Sequence, residues 1–279
     1  MPIYSSYTYG CGGYGDFIRS LFAFFVYCTE NNIKHILYIP NHPLNQCFEC
    51  ITENLSYPVK KYIDMGNYDK ELIIAELNRC RDENYNIIIY SNTFNFVSFE
   101  LLKKYTFEFK IFLKLSDAVK HRIDTLKNQI NNIEYTAIHI RCGDKFMECN
   151  SQCINDDIRI DPAQDILYKK LTKSINYLKN NYNLPICLFT DVQSLKEKLC
   201  KQYDLLCFNT EIHHTACTSN KENAFIDSVV EFELLGQSKA IIKFTNTGFA
   251  FWSAFINNVP LFIYDDVTDE IVPFIDLKY

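Results

Sequence analysis

Apolar residues in this chain fall into short blocks that suit strands and longer stripes that suit helices, and the two alternate. Residues 3–9 alternate and are rich in Tyr and Ser, which predicts a first strand. A glycine turn follows, Gly10-Cys11-Gly12-Gly13-Tyr14-Gly15. Residues 16–31 carry Phe17, Phe22, Phe24, Phe25 and Tyr27, so they predict a helix apolar on most sides and therefore buried. Residues 34–40 predict a second strand. Strand, glycine turn, helix, strand is the opening of a doubly wound fold. Residues 41–65 have little periodicity and are expected to be loop with short pieces. A helix over 69–81, a strand over 85–90 and a helix over 98–105 complete the first half. Ser91-Asn92-Thr93-Phe94-Asn95 lies at the end of that strand and is expected on the ligand edge.

The second half alternates more cleanly. Ser116 is placed to cap a helix whose apolar stripe is Ala118, Val119, Ile123, Leu126 and Ile130. The change of domain is expected at 112–116, giving domains 1–114 and 115–279. Strands are predicted over 135–140, 186–191, 205–208, 240–244 and 261–264. Helices are predicted over 163–182, 192–203, 223–236 and 249–257, the first with Ile166, Leu167, Leu171, Ile175 and Leu178 on one side. Such βα alternation implies parallel strands covered by helices on both faces. The expected architecture is α/β, with two Rossmann-like domains facing across a cleft.

Composition narrows the function. With 279 residues, 48% hydrophobic and 15% aromatic, the chain has ample material for folded cores. A net charge of −6 argues against nucleic acid as a partner. The longest apolar run, 21–28, is far short of the ~20 residues that span a bilayer, and Met1-Pro2-Ile3-Tyr4 has no basic leader. A cytoplasmic protein is expected, its 12 cysteines reduced. Cys47 and Cys50 have CxxC spacing, and Cys142, Cys149 and Cys153 lie close together, but no second short pair follows. Neither a structural metal nor a cofactor is expected.

Candidate chemistry sits at strand ends, where open α/β sheets bind ligands. Three junctions carry it: His139, Arg141 and Asp144 after one strand, Thr190 and Asp191 after the next, and Thr245, Asn246 and Thr247 after another. Arginine makes paired hydrogen bonds to phosphate and stays charged. Residues 245–248 begin a helix, whose free N–H groups and hydroxyls suit an anion. Asp191 is placed to accept from a base or ribose. Two competing readings are an Arg141–Asp144 pair that ties a turn and simple capping by Thr245 and Thr247. No Asp-x-Asp pair occurs, which favours a metal-free design in which arginine and helix dipoles neutralise a departing diphosphate.

At these positions the chain resembles the GT-B fucosyltransferases, the α-1,2/α-1,6/protein O-fucosyltransferase superfamily. His139-Ile140-Arg141-Cys142-Gly143-Asp144 is similar to that family's His-x-Arg-Arg-x-Asp motif, and Gly12-Gly13-Tyr14-Gly15-Asp16 resembles its amino-terminal glycine motif. Phe189-Thr190-Asp191 and the block from Leu234 through Thr247-Gly248 to Phe255 resemble two further motifs, in the family's order. The resemblance implies inverting transfer of L-fucose from GDP-fucose to a glycan hydroxyl. It implies donor contacts from His139, Arg141, Lys145, Asp191, Asp227, Thr245, Asn246, Thr247 and Gly248. Gly13, Tyr14, Gly15 and Asp16 would face the sugar and acceptor. Asp144, Glu148 and Asp16 are the candidates for a general base. Two positions depart from the pattern: Cys142 replaces the second arginine, and Asp16 stands where the α-1,2 branch has Asn. The alternatives are another nucleotide sugar, such as a rhamnose or xylose donor, or a non-catalytic glycan- or nucleotide-binding protein. Oligomeric state is not legible.

Overall fold

A computed structural model describes residues 2–9, 12–53, 59–64, 70–83, 86–90, 97–143, 159–212, 214–215 and 223–274. The chain divides into two compact units, Met1–Ser116 and Asp117–Lys278. Among the described residues, no helix is long and apolar enough to cross a membrane.

The first unit contains β1 (Pro2–Ser6), α1 (Tyr14–Glu30), β2 (Lys34–Leu37), a 3₁₀ turn (Pro43–Cys47), β3 (Val59–Asp64), α2 (Lys70–Asp82), β4 (Asn86–Tyr90), α3 (Phe99–Lys104) and α4 (Thr106–Phe112). Its four strands are all parallel, in the order β2-β1-β4-β3. Strand side chains alternate between faces, so Ile3, Ile87 and Ile89 pack against Ala23, Phe24 and Cys28 of α1 and Leu77 of α2. Tyr4 and Ile88 take the other face with Tyr38. On α1, Phe22 stacks on Phe109 at 4.1 Å and Phe25 meets Phe112 at 5.0 Å, which docks α4.

Three expectations for this unit change. β1 ends at Ser6, because the buried Tyr7 turns inward and its hydroxyl donates to the Gly12 carbonyl at 2.6 Å. The stretch expected to be loop contains β3, whose charged sequence Val59-Lys60-Lys61-Tyr62-Ile63-Asp64 hides the strand period. Helix α4 was not expected at all; α3 stops at Lys104 and the chain restarts at Thr106.

The second unit contains α5 (Asp117–Gln129), β5 (Thr136–Ile140), α6 (Asp165–Tyr182), β6 (Ile186–Thr190), α7 (Gln193–Tyr203), α8 (Ala224–Leu235), β7 (Ile241–Lys243), α9 (Gly248–Asn257), β8 (Leu261–Asp265) and β9 (Glu270–Pro273). Strand order is β6-β5-β7-β8-β9. The first four strands are parallel, and β9 runs antiparallel to β8. The sheet therefore closes on a hairpin rather than at residue 264. Lysines of α6 hold that hairpin's turn: Lys170 pairs with Asp266 at 2.7 Å and Lys169 with Asp269 at 2.8 Å. Residues 205–208 are not a strand but make one bridge, Leu206 to Cys187.

Helices α6 and α7 cover one face of this sheet with Leu167, Leu171, Leu195 and Leu199 against Ile138, Ile140 and Ile242. Ile166 stands 45% exposed, outside that stripe. On α5, Val119, Ile123 and Leu126 are buried while Ala118 is exposed. The hydroxyl of Ser116, which immediately precedes α5, donates to the Gln46 carbonyl at 2.6 Å.

Candidate functional site

The three polar junctions read from the sequence follow β5, β6 and β7, which are adjacent in the order β6-β5-β7. Parallel pairing places their carboxyl ends on one edge, with His139 opposite both Phe189 and Lys243. Alternation along β5 sends Ile138 and Ile140 into the α6/α7 core and His139 to the other face. There the His139 ring stacks on Phe249 of α9, centroids 5.7 Å apart.

Arg141 is the first residue beyond β5. Its guanidinium meets Asp191, just beyond β6, at 3.0 Å. Asp191 is nearly buried and also accepts from the backbone N–H groups of Cys142 at 2.8 Å and Gly143 at 3.1 Å. One carboxylate therefore orients the arginine and fixes the turn that follows it. Gly143 has φ 116°, a left-handed conformation that favours glycine. The Arg141 side chain keeps 21% of its surface exposed, so it is held in place and still reachable. Asp191 is thus occupied holding this turn; the competing Arg141–Asp144 pair falls on a residue outside the described ones.

The departure at Cys142 has a structural reason. Cys142 is fully buried in the α6/α7 core, and burial pushes its thiol up to about 12. An arginine at this position would carry its charge into that core, which is costly.

The third junction leads into α9. Thr247 is the N-cap residue, but its side chain makes no capping hydrogen bond. Among the described residues, the buried Thr245 Oγ1, Thr247 Oγ1 and His139 Nδ1 have no hydrogen-bond partner. Simple capping therefore does not account for the threonines. Lys243, fully buried on β7, donates to Asn246 Oδ1 at 2.9 Å and lies 3.5 Å from the Phe274 ring centre. Burial, then Arg141, then Lys243 pull the His139 pKa down to about 3, so the imidazole is neutral near pH 7. The result is an uncapped helix start, two hydroxyls and a neutral ring in a setting made positive by Arg141 and Lys243. That combination suits an anion with several oxygens.

The other candidate residues are placed differently. Asp227, in α8, pairs with Arg122 of α5 at 2.9 Å and accepts from the Glu211 N–H at 2.9 Å. It ties a helix to the 209–211 stretch, where Arg122 also reaches the Asn209 carbonyl at 2.7 Å. Gly13, Tyr14, Gly15 and Asp16 lie in the first unit. Gly13 caps α1, and its N–H donates to the Asp16 carboxylate at 3.3 Å. Asp16 also meets Arg19 at 3.3 Å, and Tyr14 is buried beside Phe48. Asp144, Lys145 and Glu148 lie outside the described residues, as do Ser91 to Asn95.

Sequence reading missed the buried lysines. Lys243 interrupts the apolar run Ala240-Ile241-Ile242, and a charge inside a predicted buried strand was the signal. Lys196 gave no such signal, since it sits among polar residues of α7. It is buried with Glu231 at 2.6 Å, and Thr210 bonds to both. Among the described residues no group of three or more His, Cys, Asp or Glu converges on a point that could hold a metal ion.

No protein-family model and no curated protein sequence matches this chain. Solved structures do. NodZ α-1,6-fucosyltransferase, solved from Bradyrhizobium and soaked with GDP-fucose, matches with a TM-score of 0.61 and 15% identity over 98% of both chains. An Arabidopsis thaliana FUT1 mutant in complex with GDP matches with a TM-score of 0.61 and 10% identity, over 99% of this chain and 75% of that one. POFUT1 in complex with GDP-fucose matches with a TM-score of 0.52 and 10% identity, over 92% and 95%. The chain has a GT-B fucosyltransferase-like fold.

Proposed function

We propose that the second unit binds a nucleotide diphosphate sugar, with the diphosphate on Arg141 and the start of α9, and that the chain is a glycosyltransferase using GDP-fucose. One observation carries the diphosphate site. Three buried polar atoms, His139 Nδ1, Thr245 Oγ1 and Thr247 Oγ1, have no partner among the described residues, beside an arginine that Asp191 has already oriented. Buried polar atoms left unbonded are costly, and a ligand that bonds them recovers that cost. The choice of donor is supported by the shared fold, since the solved structures named above hold GDP or GDP-fucose.

In this reading an acceptor hydroxyl attacks the anomeric carbon of fucose from the face opposite the diphosphate. The carbon–oxygen bond to the diphosphate breaks, the configuration inverts, and GDP departs. Arg141 and the positive end of α9 neutralise the charge that develops on the leaving group. No metal is required for that step. The hydroxyl proton passes to a carboxylate, with Asp144 and Glu148 the candidates. Asp16 is the weaker one, because its oxygens already serve Gly13 and Arg19. Asn246 and Gly248 set the turn into α9, Lys145 adds charge beside Asp144, and Gly13 to Gly15 belong to the acceptor side. The acceptor class is a glycan.

Calorimetric titration with GDP, GDP-fucose and UDP-sugars, together with an assay for GDP release, tests the reading. GDP and GDP-fucose should bind, and GDP should be released from GDP-fucose alone. Preferred binding of a UDP-sugar, or release of GDP only from a different sugar, removes the fucose assignment.

A further inference from the structure

The stretch beyond the Leu206–Cys187 bridge is neither strand nor helix, yet charged side chains hold it residue by residue. Lys196 of α7, fully buried, donates to the Phe208 carbonyl at 3.2 Å and to the Thr210 hydroxyl oxygen at 2.9 Å. The Thr210 hydroxyl in turn donates to Glu231 of α8. Arg122 of α5 donates to the Asn209 carbonyl at 2.7 Å, and the Glu211 N–H donates to Asp227 of α8 at 2.9 Å. Each cation is matched by one of these carboxylates: Lys196 by Glu231 at 2.6 Å and Arg122 by Asp227 at 2.9 Å. Asp227 and Glu231 stand one helical turn apart and so share a face of α8. Both are buried. Buried ion pairs contribute little net stability, and their best-attested use is to fix one arrangement over others. Here they give an irregular backbone a single course.

That course follows the ligand edge. The bridge to β6 is parallel, so the chain leaves Leu206 in the direction of β6. Counting forward from the bridge brings Phe208 level with Phe189, and their rings lie 5.9 Å apart. Phe189 is opposite His139 in the sheet, which puts Phe208 on the His139 face. The same count brings residues 209–211 level with Thr190, Asp191 and Val192, just beyond β6, where Asp191 holds Arg141. Phe208 and Thr210 are buried, whereas Asn209 and Glu211 are exposed. One side of the stretch is thus gripped by the protein, and the other presents a carboxamide and a carboxylate.

We infer that residues 209–211 form the wall that receives the nucleobase of the donor, read by Asn209 and Glu211, with Arg122 and Asp227 as positioning residues. The inference rests on the diphosphate site proposed above. A nucleoside hangs from one end of its diphosphate, so with the phosphates on Arg141 the base lies along the same sheet edge, and the β6 side carries the fixed wall. The pairing edge of guanine presents two N–H donors beside one carbonyl oxygen. A carboxylate accepts from both donors, and a carboxamide N–H donates to the oxygen. Uracil presents one N–H between two carbonyl oxygens, so it offers the carboxylate a single donor and sets an oxygen against it. The wall therefore selects guanine. Asp227 contributes through the backbone of Glu211 rather than by touching the donor.

The test is calorimetric titration of the full chain with GDP, UDP and inorganic pyrophosphate, repeated on Asn209→Ala/Glu211→Ala and on Arg122→Met. The parent should bind GDP more tightly than UDP. The double variant, at two exposed positions, should bind GDP about ten-fold more weakly or worse, with UDP and pyrophosphate held within about two-fold. Arg122→Met releases the Asn209 carbonyl and should lower the preference for GDP over UDP by about five-fold, again with pyrophosphate unchanged. A destabilised fold would weaken all three ligands together, so the preference separates positioning from stability. GDP binding unchanged in the double variant overturns the wall and leaves the diphosphate site standing. So does a loss of pyrophosphate binding as large as that of GDP in the double variant, since the stretch would then serve the phosphates or the fold. A parent that binds neither GDP nor pyrophosphate removes the donor reading itself, and the wall with it.

Discussion

Both units contain a strand that runs through a short polar turn into a buried aromatic helix, yet the two helix starts are bonded differently. In the first unit the start of α1 is bonded by the protein. Tyr7 donates to the Gly12 carbonyl, and the Asp16 carboxylate accepts from the Gly13 N–H. In the second unit the turn before α9 is left open. Thr247 makes no cap, and the hydroxyls of Thr245 and Thr247 find no partner among the described residues. The first helix start is bonded by the Asp16 carboxylate, whereas at the second two buried hydroxyls are free to meet a ligand's oxygens. The glycine motif attracts the eye in the sequence, but the second turn has the chemistry for an anion.

The contrast can be broken or sharpened by experiment. The largest effect is expected from Arg141→Ala. On the proposed site it would remove the charge-assisted bonds to the diphosphate, and it should weaken GDP by about 100-fold, or about 3 kcal/mol. The melting temperature should move little, because Asp191 keeps its two backbone donors. GDP affinity unchanged in this variant places the nucleotide elsewhere.

Acid tests both units together. His35 and His139 each have a folded pKa of about 3, lowered chiefly by burial, against about 6.5 for an exposed histidine. Between those values the unfolded chain holds more protons than the folded one. The stability from keeping both rings neutral is therefore complete above about pH 6.5 and is lost as pH falls toward 3. At pH 4.5 the expected loss is about 2–3 kcal/mol for each histidine. Denaturant unfolding at pH 7 and pH 4.5, followed separately in each unit by hydrogen exchange, checks it. A stability that is flat over that range contradicts the burial of these rings.

The smallest effect belongs to the first turn. Asp16→Asn weakens the closure of α1 and should lower stability by about 1 kcal/mol, with GDP affinity held within about two-fold. Loss of GDP binding in this variant would move the first turn from helix capping to nucleotide contact.

The sequence made the polar strand ends legible because each of β5, β6 and β7 is a short apolar run that stops at a change of polarity. Adjacency of the three was not legible, since it depends on the strand order β6-β5-β7, which no local pattern encodes. Nor was the pairing of Arg141 with Asp191, its neighbour across the sheet. Strand β3 was lost because Lys60 and Lys61 break the alternation that an edge strand does not need to keep. Strand β9 was lost because a hairpin held by α6 lysines departs from the alternation that precedes it. Cys142 looked like a missing charge and proved to be a core residue.

The most direct test of the open turn is the double variant Thr245→Val, Thr247→Val, with melting temperatures measured with and without GDP. Valine keeps the shape and removes two buried oxygens that lack partners. The free protein should therefore be as stable as the parent or more so, while the shift produced by GDP falls to that expected for about ten-fold weaker binding. A free protein that melts lower while its GDP-induced shift stays intact would mean that the hydroxyls serve the fold, and that the diphosphate does not bind at the start of α9.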